Sequence, residues 1–193
     1  MSTTKSGRPR QFDPLKAVEI AQCLFHSRGY DAVSVADLTK AFGINPPSFY
    51  AAFDSKFGLY TRVLNRYSRT GAIPLAELLR SDRPVAECLI EVLNEAARRY
   101  AADPSAAGCL VLEGVHSHDR AAREAACAFH TAAENSIRDY IAQRHPLEAV
   151  RLTDFMSTLM SGLSAQARAG HSLERLAETV RLAGLVLQQT LAC

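Results

Sequence analysis

Long apolar runs are missing from this 193-residue chain. None reaches the roughly 18 consecutive residues that a membrane helix needs, so no membrane partner is expected. The N-terminal stretch through Arg10 carries positive charge with no apolar segment behind it, unlike a secretory signal, and a cytoplasmic location is expected. Patterned cysteine is missing: Cys23, Cys88, Cys109, Cys127 and Cys193 are scattered and show no C-x-x-C spacing. Their odd number argues against a closed disulfide framework. In a reducing compartment such residues act as small apolar packers, the role expected of Cys23. A glycine-rich phosphate loop, a nucleophile elbow and a zinc-protease helix motif are also absent. The chain is therefore not expected to be an enzyme, and no cofactor is implied.

What is present is an ordinary globular composition, 48% hydrophobic and 22% charged. The length suits one large domain or two small ones. A net charge of +2 conceals an asymmetry. Residues 1–70 hold ten Lys and Arg against five Asp and Glu, whereas the remainder holds twelve against fifteen. The front of the chain suits a polyanion and the back does not.

The front opens on Gly7-Arg8-Pro9-Arg10, where proline keeps two guanidinium groups on an extended backbone. Such an arm fits a narrow minor groove. Asp13-Pro14 is a helix start, with Ala17, Val18, Ala21, Leu24 and Phe25 forming one stripe and Gly29 ending it. His26 is read as a packing residue on this helix. Ser34 caps the next helix, with Asp37 as its capping-box acid and Val35, Leu38, Ala41 and Phe42 on the buried side. Gly43 supplies a left-handed turn and Ile44 plugs the corner. Asn45 caps a short third helix whose first turn holds Pro46 and Pro47. This helix ends at Phe53, and Asp54 or Ser55 caps a fourth helix that opens with Lys56.

These residues resemble the TetR family of bacterial transcriptional regulators. The resemblance rests on Phe25-x-x-x-Gly29-Tyr30, the Ser34-Val35-Ala36-Asp37-Leu38 block, Gly43-Ile44, and above all Ser48-Phe49-Tyr50-Ala51-Ala52-Phe53-Asp54-Ser55-Lys56. It implies a helix-turn-helix whose DNA-contacting residues are Arg8, Arg10, Ser34, Asn45, Pro46, Pro47, Ser48, Tyr50 and Lys56. Asn45 to Ser48 would enter the major groove, Tyr50 would reach a phosphate or a thymine methyl, and Lys56 would meet a phosphate. Free N–H groups at the helix N-termini would add to this. Tandem prolines and the Ala51-Ala52 pair depart from the family's usual pattern and leave the third helix poor in polar reach. Base discrimination would then lean on Asn45, Ser48, the Arg8/Arg10 arm and DNA shape.

Beyond residue 70 the pattern stays helical. Pro84 starts a helix with Leu89, Val92, Leu93, Ala96, Ala97 and Tyr100 inward, and Asp103-Pro104 breaks it. Ala107 to His116 has the length of a strand but reads as a buried helical turn or two. Asp119 caps a helix expected to reach about His145, with Phe129 and Ala133 among its inward residues. The last two helices run from Glu148 to Gly170 and from Ser172 onward. The final helix places Leu173, Leu176, Val180, Ala183, Leu187 and Leu191 on one face. Its second half is apolar almost all round and needs two covers. The family resemblance implies that one cover is a second copy of the chain. Leu159, Leu163, Val180, Ala183, Gly184 and Leu187 are the expected homodimer contacts.

The expected fold is all-α with about nine helices. Residues 1–12 form a basic arm, 13–70 a helix-turn-helix DNA-binding domain, and 71–193 a helical effector-binding and dimerisation domain. The expected function is a homodimeric repressor released from a palindromic double-stranded DNA operator by a small organic effector. Tyr100, Cys109, Glu113, His116, Phe129, Met156 and Met160 are the candidate pocket residues. The apolar neighbours of Cys109 favour the protonated, inert thiol. Cys127 and His130 are one helical turn apart and follow His116 and His118, a spacing compatible with metal ligation. A metal- or thiol-responsive regulator on the same scaffold is an alternative reading. A helical ligand-binding protein that does not bind DNA is another.

Overall fold

The computed structural model describes residues 12–192. Arg8, Arg10 and Cys193 lie outside the described residues. Ten α-helices and one 3-10 turn, with no strand, make up the described part. Four helices form the head: α1 (Pro14–Arg28), α2 (Val35–Phe42), α3 (Pro46–Phe53) and α4 (Lys56–Thr70). The body follows with α5 (Leu75–Leu78), α6 (Val85–Tyr100), α7 (Leu110–Gly114), α8 (Arg120–Ala142), α9 (Ala149–Arg168) and α10 (Leu173–Thr190). The 3-10 turn, Pro104–Ala106, lies between α6 and α7. The segment from Ala107 to His116 thus contains a short helix rather than a strand. No helix among the described residues is long and apolar enough to cross a membrane.

Local chemistry sets the head's boundaries. The Asp13 carboxylate accepts the Leu15 amide at 2.9 Å, and Pro14 follows at the first helical position. Ser34 and Asp37 form a reciprocal capping box at α2. Gly43 ends α2 at φ 69°, a left-handed conformation that a Cβ would strain. Asp54 terminates α3 at φ 70°, the one positive φ outside glycine among the described residues. Ser55, not Asp54, caps α4, its hydroxyl accepting the Gly58 amide at 2.9 Å.

Two apolar clusters hold the chain. One joins α1 to α4 through Ala17, Phe25, Leu38, Phe49, Phe53, Leu59 and Tyr60, and it takes in Leu110 and Ala122 from the body. The other centres on α6, against which α9 and α10 pack. The head's core is therefore completed by α7 and α8.

Three expectations about faces are corrected. Ala41 is exposed, and Thr39 is buried in its place. Cys23 is exposed on α1 rather than packed. Leu173, at the first position of α10, is 42% exposed, and the buried side of the helix begins at Leu176. The α8 helix stops at Ala142, short of His145. Pro146 disfavours helical conformation in the residue before it, and the chain leaves through turns closed on the Ile141 carbonyl.

Candidate nucleic-acid interface and body cavity

The α3 helix has two unlike faces. Phe49 and Phe53 are buried among Phe12 and Phe42, with ring centroids 5.5–6.4 Å apart. Apart from Ala52, which is half-buried, the rest of the helix faces solvent: Pro46, Pro47, Ser48, Tyr50 and Ala51 are exposed, as is the capping Asn45. Tyr50 is 49% exposed, and its ring stands edge-on to Phe49 at 5.4 Å. A fixed aromatic base thus aims the phenol outward.

The amides of α3 are already engaged or absent. Pro46 and Pro47 have none, and the Asn45 carboxamide oxygen accepts the Ser48 amide at 2.9 Å. The expected free N–H groups are therefore missing from this helix. They occur at α4, where Lys56 and Phe57 in the first turn have amides without an acceptor among the described residues. Lys56 Nζ lies 3.9 Å from the Tyr30 ring centroid. Burial pushes its pKa below the usual 10.5, against the opposing pull of Asp31 and Asp119. Ser34 is exposed and already engaged within its own helix. Its amide and its hydroxyl both donate to the Asp37 carboxylate, at 2.9 and 2.6 Å, so it orients α2 and has no spare donor.

The body holds a partly open cavity of about 270 Å³ bounded by the end of α4, by α6, α7, α8 and α9. Tyr100, Cys109, Phe129 and Met160 line it as expected from the sequence. Glu113, His116 and Met156 do not. Glu113 turns away towards α1, His116 is exposed beyond α7, and Met156 is fully buried in the α6 core. Tyr67, Leu112, Ile137 and Thr153 take their places. The Tyr67 hydroxyl donates to Cys109 Sγ at 3.6 Å, and the Cys109 amide donates to Ser164 Oγ. On the opposite wall Ser157 donates to the Glu134 carboxylate at 2.6 Å and lies 3.3 Å from His130 Nε2. His130 and Glu134 share one face of α8 by their spacing, a signal readable from sequence; Ser157 carried none. No three His, Cys, Asp or Glu side chains come together as metal ligands among the described residues, so Cys127, His130, His116 and His118 do not gather.

The strap between cavity and head is α7, tied to the head at both ends. Before it, His26 Nε2 donates to the Gly108 carbonyl at 3.0 Å, and Arg168 donates to the His26 carbonyl at 3.1 Å. Burial lowers the His26 pKa and favours the neutral ring that this bond uses. Arg168 Nε also lies 3.4 Å from Glu113, close enough for an ion pair but without hydrogen-bond alignment. After α7, Asp31 accepts the Ser117 hydroxyl and the His118 amide, each at 2.8 Å. Neither tie was visible in the sequence, because its partners are more than 80 residues apart.

Partial burial pushes the Asp31 pKa up, but the bonds from His118, Ser117 and Asp119 outweigh it, leaving the value below the usual 3.8. A depressed folded-state pKa means that the tie is complete above the ordinary value and is lost as pH falls through the lowered one. Amide exchange at His118, corrected for its intrinsic pH dependence, should be protected down to that value. In Asp31→Ala the protection should drop about tenfold at pH above that value and match the wild type below it. Equal protection in both proteins above that value would show that the tie is idle.

Comparison with known proteins places these features in context. The model of bacterial regulatory proteins of the tetR family matches residues 18–63. The HTH-type transcriptional repressor BdcR of Escherichia coli (strain K12) is 60% identical over 185 residues, covering 96% of this chain and 94% of its own. The HTH-type transcriptional repressor ComR of the same organism is 30% identical, covering 94% of this chain and 90% of its own. Among solved structures, a cysteine mutant of the TetR family transcriptional regulator CifR complexed with 26-bp double-strand operator DNA superposes with a TM-score of 0.83. It is 32% identical over 92% of this chain and 98% of that one.

Proposed function

Given that the chain belongs to the tetR family of bacterial regulatory proteins, we propose that it is a cytoplasmic homodimeric repressor that releases its operator when a small molecule fills the body cavity. The observation that carries the DNA-reading part is the outward face of α3, with Tyr50 braced on the buried Phe49 and the open N-terminus of α4 beside it. Asn45, Pro46, Pro47 and Ser48 form the leading turn for the major groove. Lys56 and the α4 amides meet a phosphate. Arg8 and Arg10 add salt-dependent affinity. In this reading residues 13–70 are the DNA-binding unit and 71–193 the effector and dimer unit.

Pairing uses the outer faces of α9 and α10. Leu163, Val180, Ala183, Gly184 and Leu187 are buried within the chain, so they are withdrawn as partner contacts, and Leu159 is partly buried against the α6 cluster. Leu182 and Leu185 are each 56% exposed, and Val186 is 47% exposed. These three residues, with the open surface of Ser161, Gly162 and Ala165 on α9, suit a second copy.

Release works through α7. A ligand that displaces the Cys109–Leu112 wall moves a strap tied to α1 at Gly108 and to the α1–α2 turn at Ser117. The two heads then leave the separation of about 34 Å that successive major grooves require. The ligand acts only as far as it binds one arrangement better than the other.

The test is Tyr50→Ala on DNA selected in vitro for binding, read by fluorescence anisotropy. Affinity should fall at least about tenfold with the dimer and helix content unchanged. Wild-type affinity in that variant would remove Tyr50 from the interface.

A further inference from the structure

The chemistry of the cavity wall restricts what can fill it. No lysine or arginine lines it. Its one carboxylate and one imidazole are Glu134 and His130, whose side chains are 34% and 26% exposed. Arg99, the cation behind the α4 end of the cavity, is already held by Glu95 and by the carbonyls of Gly71 and Ala72. The floor is apolar, built from Leu112, Ile137 and Met160, with Tyr67 and Tyr100 as the flanking phenols. Burial raises both phenol pKa values, so these groups stay neutral and present ring faces and hydroxyls.

An anionic ligand would surrender hydration with no lysine or arginine to replace it and with the Glu134 carboxylate facing it. A neutral amphiphile would fit at no such cost. A ligand with an ammonium group would gain a charge-assisted bond from Glu134, whose second carboxylate oxygen is not held by the 2.6 Å bond from Ser157. The volume of about 270 Å³ also limits the ligand to one or two small rings.

Resting on the reading of this cavity as the effector site, we propose that its ligand class is a small, mainly apolar amine, with Glu134 as the residue that selects it against carboxylates and phosphates. The apolar body lies on Leu112, Ile137 and Met160, while the ammonium meets Glu134 on the α8 wall. Ser157 fixes the carboxylate, and His130 lies beside both.

Three matched probes test this: 4-phenylbutylamine, 4-phenylbutanol and 4-phenylbutyrate, titrated into the full chain by calorimetry at neutral pH. The amine should bind tightest and the carboxylate weakest, with at least about tenfold between these two. In Glu134→Gln, which preserves shape and the Ser157 contact, the amine should fall to the level of the alcohol while alcohol binding stays constant. A carboxylate that binds as well as the amine, an amine preference that survives Glu134→Gln, or no binding by any probe would overturn the proposal. Operator affinity measured in parallel keeps the two readings apart. Selective amine binding without operator release would defeat the effector reading and leave the ligand class intact. Release by the carboxylate alone would do the reverse.

Discussion

Leu182→Glu combined with Leu185→Glu should convert the protein into a folded monomer that no longer holds its operator. Both side chains already face solvent in the isolated chain, so carboxylates there cost little before assembly. In the proposed dimer the same carboxylates would be buried against apolar surface without partners, which costs about 3 kcal/mol or more. The dimer dissociation constant should therefore rise more than about a hundredfold. Sedimentation should report a single-chain mass, and helix content should stay as in the wild type. DNA affinity should collapse further than in any single α3 variant, because one head alone forfeits the second half-site. A dimer that survives both glutamates would move the interface off the outer face of α10.

Gly58→Ala is expected to be the most damaging single change in the head. A Cβ at Gly58 would fall well inside contact distance of the Phe53 carbonyl oxygen. That obstacle is backbone, so no rotamer change relieves it. The α3–α4 turn must open, which pulls on the Ser55 cap and on the bond from the Ser55 amide to the Phe53 carbonyl, 2.7 Å long. A loss of about 3 kcal/mol is expected from urea unfolding. Operator affinity should fall with it, since α3 and Lys56 are positioned by this turn. Unchanged stability would mean that the turn is looser than its geometry implies.

The head was legible because its signals are local. Asp13, Ser34, Asn45 and Ser55 each cap within three residues, and the Phe49–Tyr50 pair separates inner from outer face by helical spacing alone. The body was only half legible. Periodicity showed that α10 carries two apolar stripes but not which one meets α6. The deciding property is size: Ala183 and Gly184 let α10 come close to α6, where a Cβ at Gly184 would sit 3.4 Å from Ile90. The larger Leu182, Leu185 and Val186 are left outside. Small residues within the stripe carried that signal. For the cavity, Glu113 and Met156 occur at plausible helical positions, yet their direction depends on Arg168, α1 and α6, which are distant in sequence. The ties from Asp31 and His26 join segments that no short motif connects.

The measurement that bears most directly on all of this is the binding of wild type and Tyr50→Ala to DNA enriched from a random pool. The enriched sequence should be an inverted repeat whose half-sites lie about one helical turn, or a multiple of it, apart. It should bind two chains per site, and Tyr50→Ala should lose at least about tenfold in affinity. Absence of any enriched sequence, or one chain bound to an unsymmetrical site with Tyr50→Ala indistinguishable from wild type, would contradict it.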